Sequence, residues 1–131
     1  MSQENVETVR ESIEAYNRGD FDTAVQSFAP EIEWLFPPNF NAESCRGPEE
    51  IRRFWEELDE AFEDFQLEPQ EFVDAGDHVV IRVRLHGRGK ESGVETEGEM
   101  HPVNTLRDGR IVRVEYFNDW AEALEAAGLR E

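Results

Sequence analysis

Met100-His101-Pro102-Val103-Asn104-Thr105-Leu106-Arg107-Asp108-Gly109-Arg110-Ile111-Val112-Arg113-Val114-Glu115-Tyr116-Phe117 is the stretch on which the reading of this chain turns. Asp108-Gly109 stands between two alternating runs, and a two-residue Asp-Gly turn of type I′ has the twist that suits paired strands. The turn predicts a hairpin in which Arg107 faces Arg110, and it sets the register from there. Leu106 then pairs with Ile111, Thr105 with Val112, Asn104 with Arg113, Val103 with Val114, Pro102 with Glu115, His101 with Tyr116 and Met100 with Phe117. Side chains alternate between the two faces of a strand. One predicted face carries Leu106, Ile111, Asn104, Arg113, Pro102, Glu115, Met100 and Phe117. The other carries Thr105, Val112, Val103, Val114, His101 and Tyr116. Two readings stay open. Either the β-branched face is core and leaves Arg113 and Glu115 in water, or the first face, apolar with convergent polar groups, lines a small-molecule pocket.

Outward from the hairpin, the pattern is extended back to Phe65, with strands predicted at 65–74, 78–89, 94–106 and 110–118. Before Phe65 the period is helical. Val6, Val9, Ile13 and Tyr16 share one face of a helix over 3–18, ended at Gly19, with Asp20 placed to cap the next. Phe21, Ala24, Val25 and Phe28 suggest a short second helix stopped by Pro30. Ile32, Trp34 and Phe36 alternate as a short strand ended by Pro37-Pro38, and 37–47 reads as a loop. Pro48 opens a third helix whose bulky face is Ile51, Phe54, Trp55, Leu58 and Phe62. After the hairpin, Asp119 and Glu122 predict a capped short helix ending at Gly128. Helices first and an antiparallel meander after predict an α+β domain over 1–131.

Composition bounds what such a domain does. With 31 acidic and 13 basic residues the formal charge is −18, which disfavours nucleic acid and anionic membrane surfaces as partners. One cysteine rules out an internal disulfide framework, and the N-terminal residues lack the basic and apolar blocks of a signal peptide. The expected location is cytoplasmic. His78, His86 and His101 are scattered without cysteine or paired carboxylates at ligand spacing, so no metal or other cofactor is expected. Cys45 has no histidine partner and reads as a bystander.

The stretches Tyr16-Asn17-Arg18-Gly19-Asp20-Phe21, Arg46-Gly47-Pro48-Glu49-Glu50-Ile51, Thr105 to Val112 and Glu122 to Leu129 resemble the SnoaL-like polyketide cyclases of the nuclear transport factor 2-like superfamily. The resemblance implies a cone-shaped α+β fold with three N-terminal helices on a strongly curved, mostly antiparallel sheet and a short C-terminal helix. It implies an apolar pocket on the inner sheet face and a homodimer through the outer one. It places Glu115 and Phe117 inward and Val103, Val112, Val114 and Tyr116 outward, under a partner subunit. The same parity puts Val79, Ile81, Val83 and Leu85 inside and Arg82, Arg84 and His86 outside.

The resemblance does not carry a complete catalytic set. The positions matching the ketosteroid isomerase machinery are Phe36, Ser12 and Pro102. Of the limonene epoxide hydrolase set, Val83 and Leu85 replace the arginine and one aspartate, and Glu115 stands at the other aspartate. Glu115 is therefore the candidate catalytic acid–base group, in an enzyme of cyclase, isomerase, dehydratase or epoxide hydrolase type. Its expected companions on the substrate are Asn104, Arg113, Tyr16, Trp34, Phe36, Trp55, Val83, Leu85, Met100 and Phe117. Enclosure among Trp34, Phe36, Met100 and Phe117 would raise the carboxyl pKa, and Arg113 would oppose that shift. The alternative is a non-catalytic ligand-binding or dimerisation module. In either case the expected partner is a small hydrophobic molecule.

Overall fold

The computed structural model describes residues 2–37 and 43–129; Pro38 and the rest of 38–42, within the predicted loop, lie outside the described residues. The elements run α1 (Ser2–Asn17), α2 (Phe21–Ala24), β1 (Phe28–Leu35), β2 (Cys45–Arg46), α3 (Pro48–Ala61), β3 (Phe62–Ala75), β4 (His78–Gly89), β5 (Glu95–Arg107), β6 (Arg110–Phe117) and α4 (Trp120–Ala126). The strands form one six-stranded sheet in the order β2-β1-β6-β5-β4-β3. All neighbours are antiparallel except β1 and β6, which run parallel.

Local chemistry sets most boundaries. Gly19, at φ +78°, lets the chain leave α1 in a left-handed turn. Asp20 then caps α2, accepting from the Thr23 amide at 3.2 Å. Asp119 caps α4 in the same way, accepting from the Glu122 amide at 2.8 Å. Asn17 ties α1 to the sheet: its amide donates to the Leu67 carbonyl at 2.7 Å and accepts from the Leu67 amide at 3.0 Å.

The structure departs from expectation at three boundaries. Phe28 belongs to β1, not to the second helix, and Pro30 is carried within that strand where the register against β6 shifts. A bulge accommodates the missing proline N–H, which explains why Pro30 does not end an element here. Cys45-Arg46, expected in a loop, adds a two-residue edge strand. Phe62, expected on the third helix, starts β3.

The decisive departure lies in the last hairpin. Asp108 (φ 53°) and Gly109 (φ 77°) make the left-handed pair that a type I′ turn requires, and Arg107/Arg110 and Leu106/Ile111 pair as expected. Next, however, Thr105 pairs with Arg113, so Val112 is an extra residue in β6. A bulge of one residue exchanges the faces of everything beyond it. Asn104 now lies beside Val114, Pro102 beside Tyr116, Val103 beside Glu115 and His101 beside Phe117. Val114 and Tyr116 therefore face inward with Asn104 and Met100, whereas Arg113, Glu115 and Phe117 face outward.

Two apolar clusters follow from that parity. The main one lies between the inner sheet face and helices α1 to α3, and includes Val9, Tyr16, Phe28, Ile32, Trp34, Ile51, Trp55, Val79, Ile81, Val83, Ile111, Val114 and Tyr116. The second lies on the outer face, where Val80 and Val103 pack under Ala123, Leu124 and Ala127 of α4 and its C-cap. The apolar part of the outer face is thus covered by the chain's own C-terminal helix. The expectation that Val114 and Tyr116 lie there and need a partner subunit is overturned by the bulge.

The rest of the outer face is charged. Arg82 pairs with Glu99 at 3.3 Å, Arg84 with Glu97 at 3.9 Å and Arg88 with Glu95 at 3.0 Å, in rungs between β4 and β5. His86 meets Glu68 of β3 at 2.6 Å. The basic series on β4 thus finds acids on its own neighbouring strands. Among the described residues, no helix is long and apolar enough to cross a membrane.

Candidate functional site

Between the inner sheet face and the helices lies a cavity of about 270 Å³. Its deep wall is Val9 and Tyr16 from α1, Trp34 from β1, Trp55 from α3, Ile81 and Val83 from β4, and Ile111, Val114 and Tyr116 from β6. Phe54, Leu58, Phe62, Phe65, Leu67, Leu85, Met100 and Phe36 also line it and are only half-buried, so they lie toward its mouth. Aromatic rings form a chain along one side. Tyr16 meets Trp55 edge-on at 5.0 Å between centroids, Trp55 meets Trp34 at 5.8 Å, Trp34 meets Tyr116 at 5.7 Å, and Tyr116 stacks on Phe36 at 5.2 Å. Such contacts are worth about 0.5–1.5 kcal/mol each beyond the area they bury.

Backbone geometry shapes the mouth as well. An added Cβ at Gly87 would lie 2.9 Å from the Phe65 ring. The glycine lets Phe65 lie flat over β4 and line the cavity, which a larger residue would prevent.

The polar inventory of the lining is short. Ser12 donates its hydroxyl to the Ala24 carbonyl at 2.8 Å and is occupied. Asn104, 5% exposed, donates through Nδ2 to the Val79 carbonyl at 3.5 Å. Among the described residues its Oδ1 accepts no side-chain hydrogen bond. Trp34 Nε1 is a buried donor without an acceptor among the described residues, and Tyr16 and Tyr116 line the same wall. Burial pushes the Tyr16 phenol well above its ordinary value, with Asp59 adding to the shift. Burial does the same to Tyr116, with Tyr16 adding. Both phenols therefore stay neutral. Among the described residues, no Asp, Glu, His, Lys or Arg lines the cavity.

The expected site residues divide cleanly. Tyr16, Trp34, Phe36, Trp55, Val83, Leu85, Met100 and Asn104 all line the cavity. Arg113, Glu115 and Phe117 do not. Glu115 lies on the outer face, its carboxylate 3.2 Å from Arg113 in a half-exposed pair. It borders an open groove of about 540 Å³ that shares Phe36 and Tyr116 with the cavity and is lined also by Phe117, Glu122 and Glu125. Enclosure by Trp34 and Met100, the premise for an acid–base role, is absent, and the Val112 bulge is the reason. Val114 and Tyr116 are the cavity residues for which simple alternation gives the wrong side. The alternative reading, with the β-branched and aromatic face of β6 as core, was the signal that pointed to them.

Elsewhere, burial and the nearby Glu50, Glu57 and Glu43 push the Cys45 thiol up, which makes it a poor nucleophile. His78 bonds Thr105 through Nδ1 at 2.9 Å, and among the described residues no group of three His, Cys, Asp or Glu could hold a metal ion.

The model of the SnoaL-like domain family matches residues 9–114. The chain belongs to the SnoaL-like domain family. Solved structures agree on the architecture of this SnoaL-like protein. A nuclear transport factor 2-like protein from Burkholderia thailandensis E264 is 27% identical, with a TM-score of 0.80 over 95% of this chain and 96% of that one. A protein described as a SnoaL-like polyketide cyclase from Jannaschia sp. CCS1 is 23% identical, with a TM-score of 0.77 over 98% and 94%. TerC, co-crystallised with polyporic acid, is 22% identical, with a TM-score of 0.78 over 95% and 98%. At such identities the last two speak for the fold alone. No curated protein matches the sequence.

Proposed function

We propose that this SnoaL-like protein binds a small, mostly apolar molecule in the inner cavity, and that binding does not involve the carboxylate of Glu115. The observation that carries the reading is a cavity walled by Trp34, Trp55, Tyr16 and Tyr116 whose lining contains no ionised side chain. A volume of about 270 Å³ equals roughly nine water molecules at their liquid density. That is room for a molecule of one or two rings. Tyr16, Trp34, Phe36, Trp55, Val83, Leu85 and Met100 supply contact area, and Asn104 supplies an orienting polar group.

The non-catalytic module is favoured over the acid–base enzyme on these grounds. General acid–base chemistry needs a group that titrates near the working pH, and the phenols are shifted the wrong way for it. The homodimer through the outer sheet face is retained in a narrower form. With α4 over Val80 and Val103, the interface would use the charged rungs of β4 and β5, and it would dissociate toward the 15.2 kDa monomer as salt rises. Single-domain organisation over 1–131 and a cytoplasmic location, which suits a single cysteine, complete the proposal.

The test is a thermal-shift and calorimetric screen of one- and two-ring compounds against the wild type and Val83→Trp, which fills the cavity. Binders that lose at least tenfold in affinity to the variant support the reading. Binders indifferent to it would place the site elsewhere.

A further inference from the structure

Two tyrosines in a wall that holds no basic side chain among the described residues give the cavity a selectivity that its apolar character alone does not. We infer that it sorts ligands by charge, taking uncharged molecules that carry an acceptor oxygen such as a ketone or ester carbonyl and rejecting carboxylates, with Tyr16 and Tyr116 as the residues that set the preference. The inference rests on the proposed binding role of the cavity.

The donors come first. Tyr16 and Tyr116 are 7% and 9% exposed and line the cavity from opposite elements, with no side-chain hydrogen bond to either among the described residues. A ligand that covers these hydroxyls without offering an acceptor leaves each O–H unpaired, which is costly, whereas one that brings an acceptor avoids that cost. A hydroxyl oxygen can also accept, but its hydrogen still needs somewhere to go. An acceptor oxygen on the ligand satisfies it, and a hydrocarbon does not.

The charge argument is independent of the donors. Moving a carboxylate from water into an apolar cavity is heavily unfavourable unless a cation meets it there. None does. The arginines of β4 and β6 project to the opposite face of the sheet, where Arg82, Arg84, Arg88 and Arg113 pair with Glu99, Glu97, Glu95 and Glu115. A net charge of −18 adds a repulsive field on approach.

Isothermal titration calorimetry at neutral pH with three probes of matched shape tests this: acetylnaphthalene, ethylnaphthalene and naphthoate. Acetylnaphthalene is expected to bind at least tenfold more tightly than naphthoate and several-fold more tightly than ethylnaphthalene. In the double variant Tyr16→Phe/Tyr116→Phe, which keeps the rings, the preference for acetylnaphthalene over ethylnaphthalene should vanish. Naphthoate binding as tightly as the ketone would overturn the charge selectivity and leave the cavity a binding site. An unchanged ketone preference in the double variant would remove the tyrosines from the argument. Absence of binding by all three probes, with Val83→Trp behaving like wild type, would overturn the binding role itself and the inference with it.

Discussion

Tyr16 and Tyr116 are all the tyrosine this chain has, so its phenol absorbance reports on the cavity alone. Burial raises both groups above the ordinary value of 10.0, and the unfolded chain therefore releases these protons first. The stability tied to keeping the phenols protonated is complete below pH 10 and is lost as pH rises past it. A spectrophotometric titration should show no phenolate until the protein unfolds, with the absorbance change and loss of near-ultraviolet dichroism coinciding. Phenolate appearing in a folded protein would contradict the enclosure of these rings. One residue earlier in the chain, Glu115 faces the other way. Its half-exposed pair with Arg113 is of the kind worth about 0.2–1 kcal/mol. Glu115→Gln should change stability by no more than that and leave ligand affinity unchanged, as chemical denaturation and calorimetry would show.

At the scale of elements, α4 and β4 make the sharpest demands. Leu124 is 8% exposed and anchors a seven-residue helix over Val80 and Val103. So short a helix holds by packing and by its Asp119 cap rather than by propensity. Leu124→Ala should cost about 2 kcal/mol, at the low end for a buried leucine. Asp119→Ala should cost about 1 kcal/mol. Hydrogen exchange should show α4 amides opening before those of β4 and β5. On the inner side, Gly87→Ala should displace Phe65, shrinking the cavity mouth and weakening ligands with little loss of fold.

These elements also mark how far a sequence can be read. The periods that define α1, α3 and β4, the caps at Asp20 and Asp119, and the turn at Asp108-Gly109 are local signals, and each appears in the structure. The inward row Ile81, Val83 and Leu85, together with Asn104 and Met100, follows from simple alternation on β4 and β5. What alternation cannot register is a bulge. Val112 is a β-branched residue with nothing unusual about it, and the extra position is set by how Thr105 and Leu106 seat against neighbours distant in sequence. The backbone amide of Ile111 is held by the Ser27 carbonyl at 2.8 Å, and that of Leu106 by the Asp77 carbonyl at 2.8 Å. Such contacts are nonlocal, so parity on β6 was beyond reach and the fate of Glu115 with it.

For the molecule as a whole, the charge of −18 is segregated from the cavity. Glu4, Glu7, Glu11, Glu56, Glu57 and Glu60 face solvent on helices, and the β4 and β5 rungs spend their basic groups on part of the remainder. Excess like charge destabilises a compact state through self-repulsion, and salt screens it over about 10 Å at 0.1 M. Raising ionic strength should therefore raise the thermal midpoint by several degrees, measured by calorimetry, while affinity for an uncharged ligand stays constant. A midpoint that falls with salt would mean that the surface ion pairs outweigh the repulsion.

The extra residue in β6 also bears on how such a protein changes over generations. Loss of the single codon for Val112 would remove only the unpaired residue and leave every later pair, and Glu115 outside, as they stand. Loss of the codon for Val114 would instead set Glu115 opposite Asn104, turn Glu115 and Phe117 toward the interior and send Tyr116 outside. One deletion would exchange a neutral phenol for an acid in the wall of the same cavity. Most routes to a new chemistry need substitutions at several sites; on this scaffold, the distance between a binder and a candidate acid–base catalyst is three nucleotides.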